Sequence, residues 1–307
     1  MNNSSVIHLN SSAQCAQFAL HAIFGSLAAV TAVTTFLIVT KSKELGNRSF
    51  ILLSCLAAAD AISGSGFALA GLVRFVRVFQ RTLNDPVSPW LCGRQVYTPL
   101  YIFGPVASIL CTLMIAIDRM LSVAEYNRYR TLGNQYTGFL ASGPFVYATI
   151  FTAVAIFQSY RSRNRVTVRA ICLLPYAIPQ AEFRVHELTI LIGGVLSLVF
   201  YAATTVILVR YHENLGAKTS SSRRHQNSIQ RTVGAIVAVT TLLVTVPSII
   251  RQIFYDQPWL IPFFSVCLPM SSCFNVLLYA KRYITKSTVA SYCVGTANSD
   301  NLPSSRL

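Results

Sequence analysis

Seven stretches of the chain, at about 17–40, 50–73, 97–121, 138–159, 188–211, 232–254 and 260–280, are apolar for long enough to cross a bilayer. A hydrocarbon core about 30 Å thick needs about 20 apolar residues per helix. The stretches 188–209 and 232–250 carry no charged residue. With no water in the bilayer core, backbone groups must be satisfied within each segment, which selects helices. The expected fold class is therefore an all-α membrane protein, a seven-transmembrane helix bundle. Only 11% of the residues are charged, against about 25% in soluble domains. The seven spans with their loops occupy nearly the whole chain, so one membrane domain is expected over 17–280. It is flanked by an extracellular, glycosylated N-terminus at 1–16, a short amphipathic helix at 281–292 and a disordered cytoplasmic tail at 293–307.

The net charge of +15 would suggest nucleic-acid binding in a soluble protein. In this chain the basic residues fall in the loops and no nucleic-acid partner is expected. The start, from Met1 to Ser5, lacks the basic residue of a cleavable signal peptide, so the first span is expected to direct insertion. Seven spans put the termini on opposite sides. With the N-terminus outside, 15 of the 25 basic residues face the cytosol, in the sense of the positive-inside rule. Asn2, Asn3 and Asn10 each open an Asn-x-Ser glycosylation acceptor and favour the same orientation. The second span is expected to end anywhere from Ala70 to Phe79, with Arg74 and Arg77 snorkelling outward. The third inner loop holds Thr219, Ser220, Ser221 and Ser222 before Arg223 and Arg224. It reads either as a solvated linker or as a phosphorylation segment. Cys293, after the amphipathic helix, is a candidate for palmitoylation.

Of the eight cysteines, Cys55, Cys111, Cys267 and Cys273 lie in spans and read as small core residues. Cys92 precedes the third span and Cys172 lies midway along the second outer loop. Both face an oxidising compartment, where a disulfide is permitted. It would pin that loop over the helix mouth.

Ionisable residues inside a membrane are costly. Asp60, after Leu56, Ala57, Ala58 and Ala59, lies deep in the second span. It is either a carboxylate kept neutral by burial or a cation site. Ser108, Ser271, Ser272 and Asn275 could supply the further oxygens that a hard cation such as sodium takes. No cofactor is otherwise required. At the inner end of the third span, Asp118 and Arg119 are either an ordinary positive-inside boundary or an ion pair that frees Arg119 when helices shift.

In this order and spacing the chain resembles the rhodopsin-like G-protein-coupled receptors over about residues 17–292. The resemblance rests on Asp60 in its Leu-Ala-Ala-Ala-Asp setting, Cys92 and Cys172, Asp118-Arg119-Met120, Tyr201, Pro247, and the run from Ser271 through Asn275 to Tyr279. It implies a Cys92–Cys172 disulfide and a G-protein switch of Asp118, Arg119, Tyr201, Asn275 and Tyr279. It also implies a sixth-helix pivot at Pro247, and a ligand pocket of Tyr101, Ile102, Ser248, Ile249, Gln252 and Ser265. The departures point to a divergent branch. The first helix lacks the family's Asn, the fourth its Trp and the fifth its Pro. Thr245 replaces the aromatic toggle, Val276 the seventh-helix Pro, Met120 the switch Tyr, and Asn227 the acid that locks the Arg. Pro99 and Pro105 are expected to kink the third helix. This pattern resembles the nematode serpentine chemoreceptors, especially the Srsx-like group.

The resemblance implies a plasma-membrane chemosensory receptor, its N-terminus outside, in sensory neuron cilia. It would contact lipid and activate a heterotrimeric G protein on binding an extracellular ligand. Tyr101 stands where amine receptors carry an Asp, which disfavours a biogenic amine. Ten outer arginines, Arg74 and Arg77 among them, face only Asp85, Glu182, Glu187 and Asp256. Such a mouth steers anionic ligands. A neuropeptide receptor of the same fold would favour a strand-rich second outer loop, and Val166, Thr167 and Val168 alternate only briefly. A channel or transporter would line a path with several charges. Asp60 is the one acid expected well inside a span. His-Glu-x-x-His and Gly-x-Ser-Gly motifs are absent, and no enzyme activity is expected. His21 reads as a core residue.

Overall fold

The computed structural model describes residues 11–41, 48–164, 168–214, 234–253, 266–275 and 277–278. The expected glycosylation sites Asn2, Asn3 and Asn10 lie outside the described residues. So do Ser265, Tyr279, Cys293, the third inner loop, the 281–292 helix and the tail. The side chains of Gln252 and Val276 are likewise not described.

The chain runs α1 (Ser11–Lys41), α2 (Arg48–Phe79), β1 (Pro86–Val87), α3 (Pro89–Gly93), α4 (Tyr97–Ala124), α5 (Tyr126–Thr131), α6 (Asn134–Arg161), β2 (Val168–Arg169), α7 (Leu174–Ala177) and α8 (Gln180–Asn214). Helical residues 234–253 form α9 and residues 266–275 form α10. Five helices are long and apolar enough to cross a membrane: Gln14–Lys41, Phe50–Phe79, Tyr97–Ala124, Asn134–Arg161 and Gln180–Arg210. A shorter apolar helix covers Gly234–Ile250. The first five expected spans are thus present at full length, and the sixth and seventh are described in part.

All five long helices extend past their hydropathic stretches, most of all at one end of each of three. α1 starts at Ser11 rather than 17, α2 runs to Phe79, and α8 starts at Gln180 rather than 188. Polar residues at a membrane edge lower hydropathy without ending a helix. At α8 this changes the picture. Glu187, expected among the outer acids, is buried at 5% exposure inside the helix, with Oε1 3.4 Å from His186 Nδ1.

The apolar distribution is inverted relative to a soluble bundle. On α1, Ile23, Leu27, Val30, Val33 and Leu37 face outward, whereas Ala28 and Ala32 are fully buried. Between helices in lipid there is little hydrophobic drive, so close van der Waals packing through small residues holds them. A Cβ added at Gly64 would sit 2.6 Å from Ala29 N, and one at Gly71 would sit 2.8 Å from Phe18 O. Outward-facing hydroxyls turn back on their own helix. Thr31 donates to Leu27 O at 2.6 Å and Thr34 to Val30 O at 2.8 Å. Neither hydroxyl hydrogen is left pointing into hydrocarbon.

α4 crosses α2 in the same close manner. A Cβ on Gly66 would meet Tyr101 N at 2.9 Å, and one on Gly104 would meet Ser63 Cβ at 2.7 Å. Pro105, inside α4, is buried beside this contact, and its missing N–H is tolerated because neighbouring helices cover the backbone. The principal core packs Leu52, Leu56 and Ala59 of α2 against Val106, Cys111 and Ile115 of α4, with Leu140 and Ala148 of α6 and Ile236 and Val237 of α9.

Replacing Gly104 by Val is expected to cost roughly 1–3 kcal/mol through overpacking, read as a lower thermal unfolding midpoint in detergent. Gly143→Ala, where an added Cβ has no atom within 4 Å, is expected to leave the midpoint unchanged.

Candidate functional site

Three polar centres lie along the axis of the bundle. At the inner end, Asp118 is fully buried and Arg119 nearly so, and they form an ion pair. Arg119 Nε donates to Asp118 Oδ2 at 3.1 Å. The second carboxylate oxygen has its own donor, the Tyr129 hydroxyl, 3.0 Å from Oδ1. Tyr129 sits on α5, the inner-loop helix that follows α4 after a turn at Glu125. Burial pushes the Tyr129 phenol above its ordinary pKa, and the Asp118 charge adds to that. The phenol therefore stays protonated and keeps donating.

α5 is held from a third side. Arg48, in the first turn of α2, donates to Tyr129 O at 3.0 Å and to Leu132 O, which caps the carboxyl end of α5. Its guanidinium also lies 5.0 Å from the centroid of the Tyr129 ring. Tyr136 meets Tyr129 edge-on at 6.5 Å. Neither Tyr129 nor Arg48 stands out in the sequence, where Arg48 is one loop charge among many and no local pattern ties it to a residue 81 positions away. Tyr201 projects from α8 towards α9, where a Cβ on Gly234 would collide with its hydroxyl.

Midway along the bundle, Asp60 is fully buried. Its Oδ1 accepts from Ser108 Oγ at 2.7 Å and from Ser272 Oγ at 3.1 Å, with Asn275 beside it. Asp60 Oδ2 and Asn275 Oδ1 are buried with no hydrogen-bond partner. A carboxylate, two hydroxyls and an amide oxygen are the donors a hard cation takes, so this set fits a sodium ion. Ser271 is buried, but no contact joins it to Asp60. Clusters of three or more His, Cys, Asp or Glu residues able to hold a metal are absent among the described residues.

At the outer end a disulfide joins Cys92 to Cys172, with Cα atoms 5.3 Å apart. The segment leading to Cys92 is fixed by Ser88, whose hydroxyl accepts from Leu91 N at 3.2 Å and caps α3, with Pro89 at its first position. β1 pairs antiparallel with β2, Pro86 opposite Arg169 and Val87 opposite Val168. The strand content of the described second outer loop is this two-residue pairing with the first outer loop. Arg74 does not snorkel outward. It is 3% exposed, and Nε and Nη2 donate to Ile171 O at 2.9 Å and Cys172 O at 2.8 Å. Arg77 donates to Ala170 O. The loop carbonyls are nearer than lipid headgroups, and they take the donors.

Of the expected pocket residues, the side chains of Tyr101, Ile102, Ser248 and Ile249 are described. Tyr101 packs against Phe67 at 4.4 Å between centroids. Ile102 is fully buried with Ala155, Leu174 and Phe183. Ser248 is half-buried, and Ile249, expected inward, is 38% exposed. Pro247 is buried and follows a π-helical turn, Thr241–Thr245. Thr245, at the toggle position, is buried against Gly194. His21 is buried, its Nδ1 2.8 Å from Gln17 O.

Long apolar helices packed through small residues, with a disulfide-tied outer loop and a buried inner ion pair, define a multi-pass membrane protein of the serpentine receptor class. Over residues 22–285 the sequence matches the family described as Serpentine type 7TM GPCR chemoreceptor Srsx, and the chain belongs to that family. No curated protein matches it.

Removing the Tyr129 hydroxyl (Tyr129→Phe) leaves Asp118 Oδ1 buried without its donor, a loss of about 1–3 kcal/mol. The expected result is weaker retention of Arg119 and a higher ligand-independent signal in a G-protein recruitment assay at matched surface display.

Proposed function

We propose that the protein is a chemosensory receptor of the plasma membrane, its N-terminus outside, that converts binding of an extracellular ligand into activation of a heterotrimeric G protein. The observation that carries this is the Asp118–Arg119 pair at the inner end of α4, in a chain of a chemoreceptor family. A buried ion pair loses heavily when one partner departs, so it holds one arrangement until other contacts compensate. A docking G protein supplies such contacts to Arg119.

The ligand acts by binding the open arrangement better than the closed one, which shifts a population. α9 is the moving element. Its π turn and Pro247 leave backbone carbonyls without their usual donors, and bending there is easier than elsewhere in the helix. Outward motion of its inner end separates Gly234 from Tyr201. Tyr201 and Asn275 then line the opened cleft. A sodium ion bound by Asp60, Ser108, Ser272 and Asn275 would supply a positive charge that favours the closed packing of α2, α4 and α10. Ser271 would stand behind these ligands.

The described intramembrane acids argue against a conduction path. Asp60 is hydrogen-bonded between α2, α4 and α10, whereas Glu187 pairs with His186 on α8. They do not belong to one row.

Arg119→Ala, at equal surface display, is expected to abolish ligand-dependent G-protein recruitment. Unchanged coupling would overturn the proposal. Asp60→Asn is expected to remove any sodium dependence of the unliganded protein's thermal midpoint. A sodium shift that survives the substitution would place the ion elsewhere.

A further inference from the structure

Arg74 is a buried cation whose described partners are all neutral. Its hydrogen-bond acceptors are two backbone carbonyls, Ile171 O and Cys172 O. Its guanidinium carbon lies 5.6 Å from the Tyr97 ring centroid and 6.0 Å from that of Tyr101. Arg77, one turn further along α2, adds a second positive charge and donates to Ala170 O. Among the described residues the ion pairs are Arg119–Asp118, Arg128–Glu125 and His186–Glu187, and none involves Arg74 or Arg77. A buried charge without a counter-charge is costly, and carbonyl dipoles and ring faces offset only part of that cost.

The geometry of those two hydrogen bonds shows what is missing. The Nε and Nη2 edge of Arg74 holds two oxygens at 2.9 and 2.8 Å. That edge matches the two oxygens of one carboxylate, held by two parallel N–H donors. The carbonyls of Ile171 and Cys172 satisfy those two donors without carrying a charge. Cys172 also holds a φ of 47°, a left-handed conformation unfavourable for a residue with a side chain. The Arg74 bond to its carbonyl helps keep it there.

We propose that Arg74 anchors a single carboxylate on the ligand, and that this carboxylate displaces the carbonyls of Ile171 and Cys172. A pair of opposite charges replaces two hydrogen bonds from the cation to neutral carbonyls, which favours the exchange. The freed loop relaxes at Cys172 while the disulfide keeps it tethered to α3. Tyr101, whose ring lies beneath Arg74 and packs at a tilt against Phe67, carries the change down α4. This inference rests on the receptor reading and names the ligand class, a monocarboxylate whose apolar remainder lies against Tyr97 and Tyr101.

The test uses the purified full-length protein in detergent, with its thermal midpoint as the readout. The probes are aliphatic monocarboxylates from acetate to decanoate and phenylacetate, each beside its methyl ester. At least one acid is expected to raise the midpoint while its ester does not, and Arg74→Gln is expected to lose the shift. Arg74→Lys, which keeps the charge but loses the fork, is expected to raise the half-saturating concentration about tenfold, and it carries the comparison if Arg74→Gln does not fold. Equal shifts from acid and ester, an undiminished shift in the Arg74 variants, or no shift from any acid would each overturn the proposal. The measurement involves no G protein, so its failure leaves the receptor reading intact. Coupling insensitive to Arg119→Ala would defeat that reading without touching carboxylate binding.

Discussion

The approach of α2 to α4, backbone against backbone, sets the geometry on which the polar centres depend. The two helices run antiparallel, so moving inward from the contact of Ser63 with Gly104 means descending in number along α2 and ascending along α4. One turn inward, Asp60 meets Ser108 at hydrogen-bonding distance. One turn outward, Gly66 lies against Tyr101, and further out Arg74 covers Tyr97. A side chain at position 104 would push the pair apart by ångströms and break contacts at both ends. Glycine is required at this crossing for distance rather than for backbone freedom. In lipid, where apolar surface gains little from leaving its solvent, this closeness is also what makes the packing favourable.

The three polar centres share one arrangement. In each, a charge from one helix is held by a group from another element of the fold. Asp60 of α2 is held from α4 and α10, Asp118 of α4 from α5, and Arg74 of α2 from the second outer loop. The contrast lies in how fully each charge is compensated. Asp118 has a cation and a hydroxyl, Asp60 has hydroxyls on one oxygen only, and Arg74 has neutral carbonyls. The degree of compensation falls from the Asp118 end of the bundle to the Arg74 end.

Much of this fold was legible in the sequence because bilayer thickness imposes a length on apolar stretches. Span positions followed from that length, and the disulfide partners followed from the family resemblance. The ends of the helices were less legible. Hydropathy drops at Gln180, Glu182 and Arg184, whereas the α8 hydrogen-bond ladder continues through them. Buried Glu187 was misplaced for that reason. Arg74 was misread for another: snorkelling assumes that the nearest polar atoms belong to lipid, and here they belong to a loop about a hundred residues later. Tyr129 and Arg48 left no signal, because a tyrosine and an arginine at a loop boundary have no periodicity to betray a partner. Ile249 was assigned to the pocket by analogy, and α9 leaves it 38% exposed.

The π turn at Thr241–Thr245 gives that last point a wider meaning. Val246 N–H reaches back to Thr241 O, five residues earlier, so the segment holds one residue more than an α-helical path would need. An α-helix advances about 100° per residue, so the outer half of α9 is rotated by about that angle relative to an uninterrupted helix. Deleting one residue there would restore regular α-helix without breaking the chain, and would swing every outer side chain to a new bearing while the inner half stayed in place. The wide turn therefore acts as an indexing joint. Gain or loss of that one residue would re-aim every side chain on one side of the joint while leaving those on the other side where they are.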